Sequence, residues 1–236
     1  MNDTMTTPDR GVRVDSYLRI TAQQLLSIQS LTHFADKPNG MTPVIEGLLF
    51  SRGDNGTTND TLTVVATNRY VCAKGEYEEM GFEDNNGFWH PKDTLWINQS
   101  TLKQAVTMAK AIKTNHAIIG YNVEKAVAFI TVGDNTIYST NITNAYPPIA
   151  KLYPESEPNG ASSVLLNPKW LGLIGKIVLP ETGSYLKDMP WEFQFSTDIT
   201  EGFRDKPKPV VARISGSKWE IKLLIQPNLL VSSSAR

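Results

Sequence analysis

The chain has 236 residues, with 23 basic against 24 acidic side chains, 40% hydrophobic residues, 16 glycines and 14 prolines, a balance that excludes collagenous, wholly disordered and simple polycationic classes. A single cysteine, Cys72, excludes an internal disulfide, His33, His90 and His116 are scattered without zinc-ligand spacing, and no apolar run reaches the roughly 18 residues of a membrane span. Met1 to Val14 is polar and lacks the apolar core of a secretion signal, so residues 1–15 read as a tail and the expected location is the cytoplasm.

The first predicted helix starts at Ile20-Thr21-Ala22-Gln23-Gln24-Leu25, where Thr21 and Gln24 fit a capping box. Strands are predicted over Pro43–Phe50, Thr61–Thr67 and Arg69–Gly75, and the acidic stretch Glu76–Asp84 reads as a loop. A second helix follows Ile97-Asn98-Gln99-Ser100-Thr101-Leu102, with strands over His116–Asn122, Ala126–Val132 and Thr136–Ile142. After a loop at Pro154–Gly160, a third helix follows Leu166-Asn167-Pro168-Lys169-Trp170-Leu171, with an N-cap before a proline at the first helical position. Strands over Trp191–Ser196, Val210–Ile214 and Lys218–Ile225 complete the chain.

The three helix starts share a frame: an apolar strand end, a cap, three spacers and a leucine. Positions seven beyond the caps are Ile28, Ala105 and Ile174, and positions ten beyond are Leu31, Met108 and Ile177. One apolar stripe at helical spacing thus occurs three times, predicting an α+β repeat of strand, helix and three-strand meander. The expected units are 16–87 and 88–154, paired as one domain, and 155–236 as a third half-domain or a divergent second domain.

Each helix also lies in a stretch without Asp or Glu: Ser16–Ala35, Thr94–Val123 and Pro158–Pro180, of 20, 30 and 23 residues. An even spread of the acids at average composition would put about seven there. Lys103, Thr107 and Lys110 cluster beside the apolar stripe of the second helix, with Lys113 beyond them, and Lys169 and Lys176 do the same on the third. The first helix offers Arg19 ahead of its cap and His33 near its end. Lysines without carboxylates suit a polyanion held by its phosphates, with no reading of base sequence. Solvated lysines on an ordinary helix face are the plainer alternative.

Three stretches carry a resemblance. Pro43-Val44-Ile45-Glu46-Gly47-Leu48-Leu49-Phe50, followed by Leu62-Thr63-Val64-Val65-Ala66-Thr67-Asn68-Arg69-Tyr70-Val71-Cys72-Ala73, resembles the middle domain of the bacterial beta-type DNA sliding clamp, whose second strand ends in an Ala-Thr-Asp-Gly-His-Arg-Leu-Ala type sequence. Asn144-Ala145-Tyr146-Pro147-Pro148, leading to Leu152-Tyr153-Pro154, is similar to that family's Gly-x-Phe-Pro-Asp-Tyr segment. The tail Leu223-Leu224-Ile225-Gln226-Pro227-Asn228-Leu229-Leu230 resembles its apolar end with Met-Pro-x-Arg-Leu. Asn68, Arg69 and Tyr70 stand where the family has Asp, Gly and His, and Val231–Arg236 extends beyond the family's usual end.

The resemblance implies a clamp fold, with helices lining a central pore around duplex DNA and antiparallel sheets outside. It implies DNA-facing roles for Arg19, Lys103, Lys110, Lys113, Lys169 and Lys176. It also implies a pocket that takes short peptides of the DNA polymerase and the clamp loader, built from Ile45, Thr67, Tyr70, Cys72, Pro154, Leu224, Gln226, Pro227 and Leu229. A ring of twelve halves requires four chains of three halves, or three chains if a divergent fourth half is present.

An enzyme is the first rival, but the chain has no Walker A, dinucleotide-binding or His-Glu-x-x-His motif and no nucleophile beside a base, so no cofactor and no catalysis are expected. The second is a β-rich structural protein such as a virion component, to which Arg52-Gly53-Asp54 adds nothing, since glycine and aspartate between two strands are hairpin chemistry.

Overall fold

The computed structural model describes residues 14–53, 61–78, 81–84, 94–122, 125–139, 146–147, 166–185, 189–194, 199–200, 206–207 and 209–227. The first unit comprises β1 (Val14–Thr21), α1 (Ala22–Ser30), β2 (Gly47–Gly53), β3 (Thr61–Thr67), β4 (Val71–Tyr77) and β5 (Gly81–Asp84). The second comprises β6 (Thr94–Asn98), α2 (Gln99–Ile112), β7 (His116–Asn122), β8 (Val127–Val132) and β9 (Asn135–Tyr138). The third begins with α3 (Pro168–Ile174) and continues through β10 (Glu192–Gln194), β11 (Ile199–Thr200), β12 (Lys206–Pro207), β13 (Val210–Ser215) and β14 (Trp219–Ile225).

The caps form as their local chemistry dictates. The Gln24 amide donates to Thr21 Oγ1 at 3.1 Å and the Thr21 amide donates to Gln24 Oε1 at 2.8 Å, so two otherwise orphaned N–H groups satisfy each other's residue. Asn98 and Asn167 cap α2 and α3 by accepting from the amides of Thr101 and Lys169, at 2.7 and 3.0 Å.

The strands ahead of the first two helices are exchanged. β1 pairs with β7 of the second unit, and β6 pairs with β2 of the first, giving one sheet of order β5-β1-β7-β8-β9 and another of order β10-β13-β14-β4-β3-β2-β6. The third unit joins through β14, which runs antiparallel to β4 from Trp219 opposite Tyr77 to Ile225 opposite Val71. All pairings are antiparallel, and alternation sends Leu62, Val64 and Ala66 of β3, Val71 and Ala73 of β4, and Ile221 and Leu223 of β14 into the same core as Leu25 and Ile28 of α1 and Leu102 and Ala105 of α2. The helices therefore cover one face of the sheets and leave the other outward.

Four expectations change. The acidic stretch Glu76–Asp84 is not a loop throughout, because β4 runs on to Tyr77 and Gly81–Asp84 pairs with β1. β5 is the edge strand of its sheet among the described strands. Pro43–Glu46 forms a 3-10 turn, with the strand starting at Gly47. The third strand of the second meander is Asn135–Tyr138, and its expected extension beyond Ser139 lies outside the described residues. In the third unit the apolar frame changes at its first position, while Ile177 stays buried. Trp170 is 8% exposed and Leu171 38%, since α3 has only seven residues, Gly172 weakens it by about 1 kcal/mol relative to alanine, and the larger indole wins the buried position.

Candidate nucleic-acid interface and partner pocket

The exposed side of the helix layer is cationic. Lys103 and Lys110 are exposed on α2, together with Gln104, Thr107 and Ala111, and Lys113 closes the helix in the left-handed conformation with φ 54°. Lys169 is exposed on α3, with its ammonium 4.5 Å from the centre of the Trp170 ring, a cation–π contact that holds the charge near the helix start. Lys176 is exposed just after α3. The three helices contain no Asp or Glu.

Arg19 leaves this set. Leu18 and Ile20 of β1 are buried in the core beneath the helices, so strand alternation turns Arg19 to the opposite, outward face. Nearness to the cap in sequence did not mean nearness in space.

The beginning of α1 lies against the end of α2, where the Ala22 amide donates to the Asn115 carbonyl at 2.9 Å. A groove of about 360 Å³ opens there, lined by Gln23 and Leu26 of α1, Val106, Ala109, Lys110 and Lys113 of the α2 end, and Thr182 and Gly183. Gly183 has φ +65°, and a Cβ there would lie 3.3 Å from Gln23 Cγ, so glycine supplies both the turn and the close approach of the third unit to α1. The groove and its turn were not foreseen from sequence.

On the outward face, β strands bring most of the expected pocket residues together. Cys72 of β4 lies opposite Thr67 of β3 on one side and Leu224 of β14 on the other, and Leu224 lies opposite Val211 of β13. Val65, Cys72, Val211 and Leu224 form a buried cluster separate from the main core, with Leu49 and Tyr146 packed on it. The Tyr146 hydroxyl donates to the Val65 carbonyl at 3.4 Å. Burial and the neighbouring Cys72 push this phenol well above its ordinary pKa, keeping it a donor.

The rim is the β3–β4 turn. Asn68 Oδ1 accepts from the amides of Tyr70 and Val71 at 3.1 and 3.0 Å, and Thr67 Oγ1 donates to the Val71 carbonyl at 3.0 Å. Arg69 sits at φ 75°, the left-handed region in which the glycine at this position of the similar clamp motif is at ease. Its guanidinium donates to Asp36 Oδ2 at 3.0 Å, and hydrogen bonds from Thr42, Arg69 and the Lys37 amide hold the Asp36 carboxyl below its usual range. The Gln226 amide donates to the Tyr70 carbonyl at 3.0 Å, and Pro227 is buried beside it. The Tyr70 ring stacks on Trp170 with centroids 5.8 Å apart and remains 61% exposed.

Thr67, Tyr70, Cys72, Leu224, Gln226 and Pro227 therefore share one sheet seam. Ile45 is buried in the 3-10 turn ahead of β2 and joins neither apolar cluster, because the expected strand begins only after it. Pro154 and Leu229 lie outside the described residues. Tyr146, Leu49, Val65 and Val211, which join Cys72 and Leu224 in this cluster, were not among the expected residues. Their signal is present in Val64-Val65-Ala66, Val71-Cys72-Ala73, Val210-Val211-Ala212 and Leu223-Leu224-Ile225, where the outward position of a half-buried strand is apolar too.

No group of three or more metal-ligating His, Cys, Asp or Glu side chains occurs among the described residues, and no described helix is long and apolar enough to cross a membrane. No protein-family model and no curated protein matches the sequence. Solved structures do. The beta sliding clamp of Caulobacter crescentus matches with a TM-score of 0.64 at 13% identity, covering 97% of this chain and 68% of that one. DNA polymerase III subunit beta of Borrelia burgdorferi matches at 0.61 and 13%, covering 96% and 67%. A sliding clamp from Bartonella birtlesii, solved with griselimycin, matches at 0.60 and 11%, covering 97% and 69%. With exchanged strands, antiparallel sheets on one side and capped helices on the other, the chain has the fold of the bacterial beta sliding clamps.

Proposed function

We propose that the chain is a DNA sliding clamp, a replication processivity factor that encircles duplex DNA and performs no chemistry of its own. The observation that carries this reading is the helix layer of a clamp fold presenting Lys103, Lys110, Lys113, Lys169 and Lys176 without one helical carboxylate. Such a surface attracts phosphates through charge alone, so it holds duplex of any sequence weakly and lets it slide. Topological linkage, not affinity, then retains the ring on its track.

In this reading residues 1–15 are a tail, 16–154 form one domain of two halves, and 155–236 form a third half-domain or a divergent second domain. A closed ring takes three or four copies. The pairing of β4 with β14 supports the manner of closure, since β9, the last strand of the second meander, has no neighbour on its outer side among the described strands. An open edge of this kind is a template for another strand. The outward cluster around Cys72 and Leu224 seats an apolar anchor of a short peptide from the DNA polymerase or clamp loader. Those partners place the protein in the cytoplasm of a bacterium or of a phage-infected cell.

The test is processive synthesis on primed circular template with the cognate polymerase and loader. Replacing Lys103, Lys110, Lys169 and Lys176 together by Glu abolishes long products while the circular-dichroism spectrum stays unchanged. Undiminished product length in a folded variant refutes the pore. Light scattering at micromolar concentration checks closure, with three or four times the 26.2 kDa chain mass expected.

A further inference from the structure

The 3-10 turn Leu31–Phe34 follows α1 directly, and its side chains divide sharply. Leu31, Thr32 and Phe34 are buried, leaving His33 as the exposed member. Lys176 is set beside this turn by its own flanks. The Lys176 amide donates back to Leu173, Ile177 and Val178 are buried, and the Val178 amide donates to Ser30 Oγ at 3.1 Å in the last turn of α1. The Lys176 segment, far from His33 in sequence, is thus tied to the end of α1 that His33 follows, on the helix side of the molecule.

Among the described residues of the elements packed on the turn, no carboxylate is left to pair with it. Of the elements packed on the turn, α1 and β3 carry no ionisable residue, and β2 brings Arg52 near its end. On β4, Lys74 and Glu76 face outward as an ion pair, while Tyr77 is buried against Ser27. Asp36, three residues on, is engaged by Arg69 and Thr42, and Lys37 next to it is another cation. A lysine charge near an imidazole disfavours protonation of the ring, and an anion bridging the two reverses that.

We propose that His33 and Lys176 form a phosphate seat on the inner surface, at the opposite end of α1 from Lys110 and Lys113, and that its occupant is the backbone of duplex DNA. This rests on the sliding-clamp reading and deepens it. In the free protein partial burial, and then the Lys176 charge, hold the His33 imidazole below its ordinary pKa, so it is largely neutral at pH 7. A phosphate oxygen beside it reverses the balance and the ring takes up a proton on binding. The added grip is fully present below the free-state pKa and is lost as pH rises through the bound-state value.

The experiment is an imidazole NMR titration of the full chain from pH 5 to 8, free, with duplex DNA at low salt, and with inorganic phosphate, the resonance being assigned with His33→Gln. Duplex is expected to raise the His33 pKa by about one unit. Wild-type duplex affinity then gains up to about tenfold on acidification relative to His33→Gln. Lys176→Gln, which keeps His33, raises its free-state pKa and shrinks the duplex-induced shift; an unchanged shift there overturns the pairing. Duplex association that depends on Lys103 and Lys110 but leaves His33 unmoved overturns the seat and spares the clamp reading. Inorganic phosphate acting as strongly as duplex overturns the assigned occupant, and absence of duplex association at every pH overturns both proposals.

Discussion

The two faces of the sheet-and-helix layer handle charge in opposite ways. On the outward face cations come with anions: Lys74 with Glu76 at 2.8 Å, Lys222 with Glu220 at 2.8 Å, and Arg213 with Glu192 in two bonds of 2.7 and 3.0 Å. Beside these pairs lies the apolar cluster of Val65, Cys72, Val211 and Leu224. On the helix face the lysines stand without helical carboxylates. A neutralised surface with an apolar cluster suits a specific anchor, because long-range charge is cancelled and apolar complementarity decides the contact. A surface of one sign suits a partner defined only by its charge.

The largest way to break this contrast is to reverse the inner face. Changing Lys103, Lys110, Lys169 and Lys176 to Glu removes the ability to displace phosphate counterions, each of which contributes about 0.9 to the log–log salt slope of duplex binding. A wild-type slope of up to about −4, measured by fluorescence anisotropy at low salt, falls to zero in the variant. Next in size is the outer apolar cluster. Leu224→Ala with Pro227→Ala is expected to weaken a polymerase-derived clamp-binding peptide by at least ~30-fold, the scale of a buried hot spot. The same change lowers stability by about 2–4 kcal/mol through the vacated leucine volume and leaves the duplex salt slope intact. Loss of both binding activities together means that the faces are not independent.

What the sequence disclosed follows from how far apart the interacting groups lie. The three caps were legible because Thr21 with Gln24, Asn98 with Thr101 and Asn167 with Lys169 interact within one turn. The meanders were legible from alternation. The exchange of β1 and β6 was not, since which sheet a strand joins depends on long-range packing that no local pattern encodes. β5 was hidden because Gly-Phe-Glu-Asp closes an acidic stretch and shows no apolar alternation. Arg19 was misplaced although the alternation of Leu18 and Ile20 held the answer. The shared seam of Thr67, Cys72 and Leu224 was legible through their motifs, and the apolar cluster around it was not, because Val65 and Val211 lie across the sheet and Tyr146 arrives from a distant segment.

A smaller effect probes the rim where the two faces meet. Arg69 combines a left-handed backbone with an ion pair to Asp36 whose side chains are 60% and 21% exposed. Arg69→Ala loses the pair and keeps the strain, whereas Arg69→Gly loses the pair and relieves it, so Gly is expected to exceed Ala in stability by about 1 kcal/mol in urea unfolding. Both variants also alter the acid limb. The depressed pKa of Asp36 contributes stability that is present above its unfolded pKa of about 3.9 and is lost as pH falls through the lower folded value. Removing Arg69 takes away one of the interactions that depress it and flattens that limb. Equal stabilities for Gly and Ala mean that the backbone at Arg69 carries no cost.

The smallest expected effect tests the contrast most directly. Glu220→Gln with Lys222→Gln removes one outward pair without changing net charge, and partly exposed pairs of this kind contribute roughly 0–1 kcal/mol. Thermal stability should therefore move little, and the duplex salt slope should not move at all. The reason is geometric as well as energetic: β14 turns Ile221 and Leu223 into the core, which sends Glu220 and Lys222 to the side away from the helices. A changed slope in this variant places the duplex on the sheet face and inverts the molecule. An unchanged slope, beside the collapse expected from the inner lysines, leaves the carboxylate-free helix layer as the surface that phosphates meet.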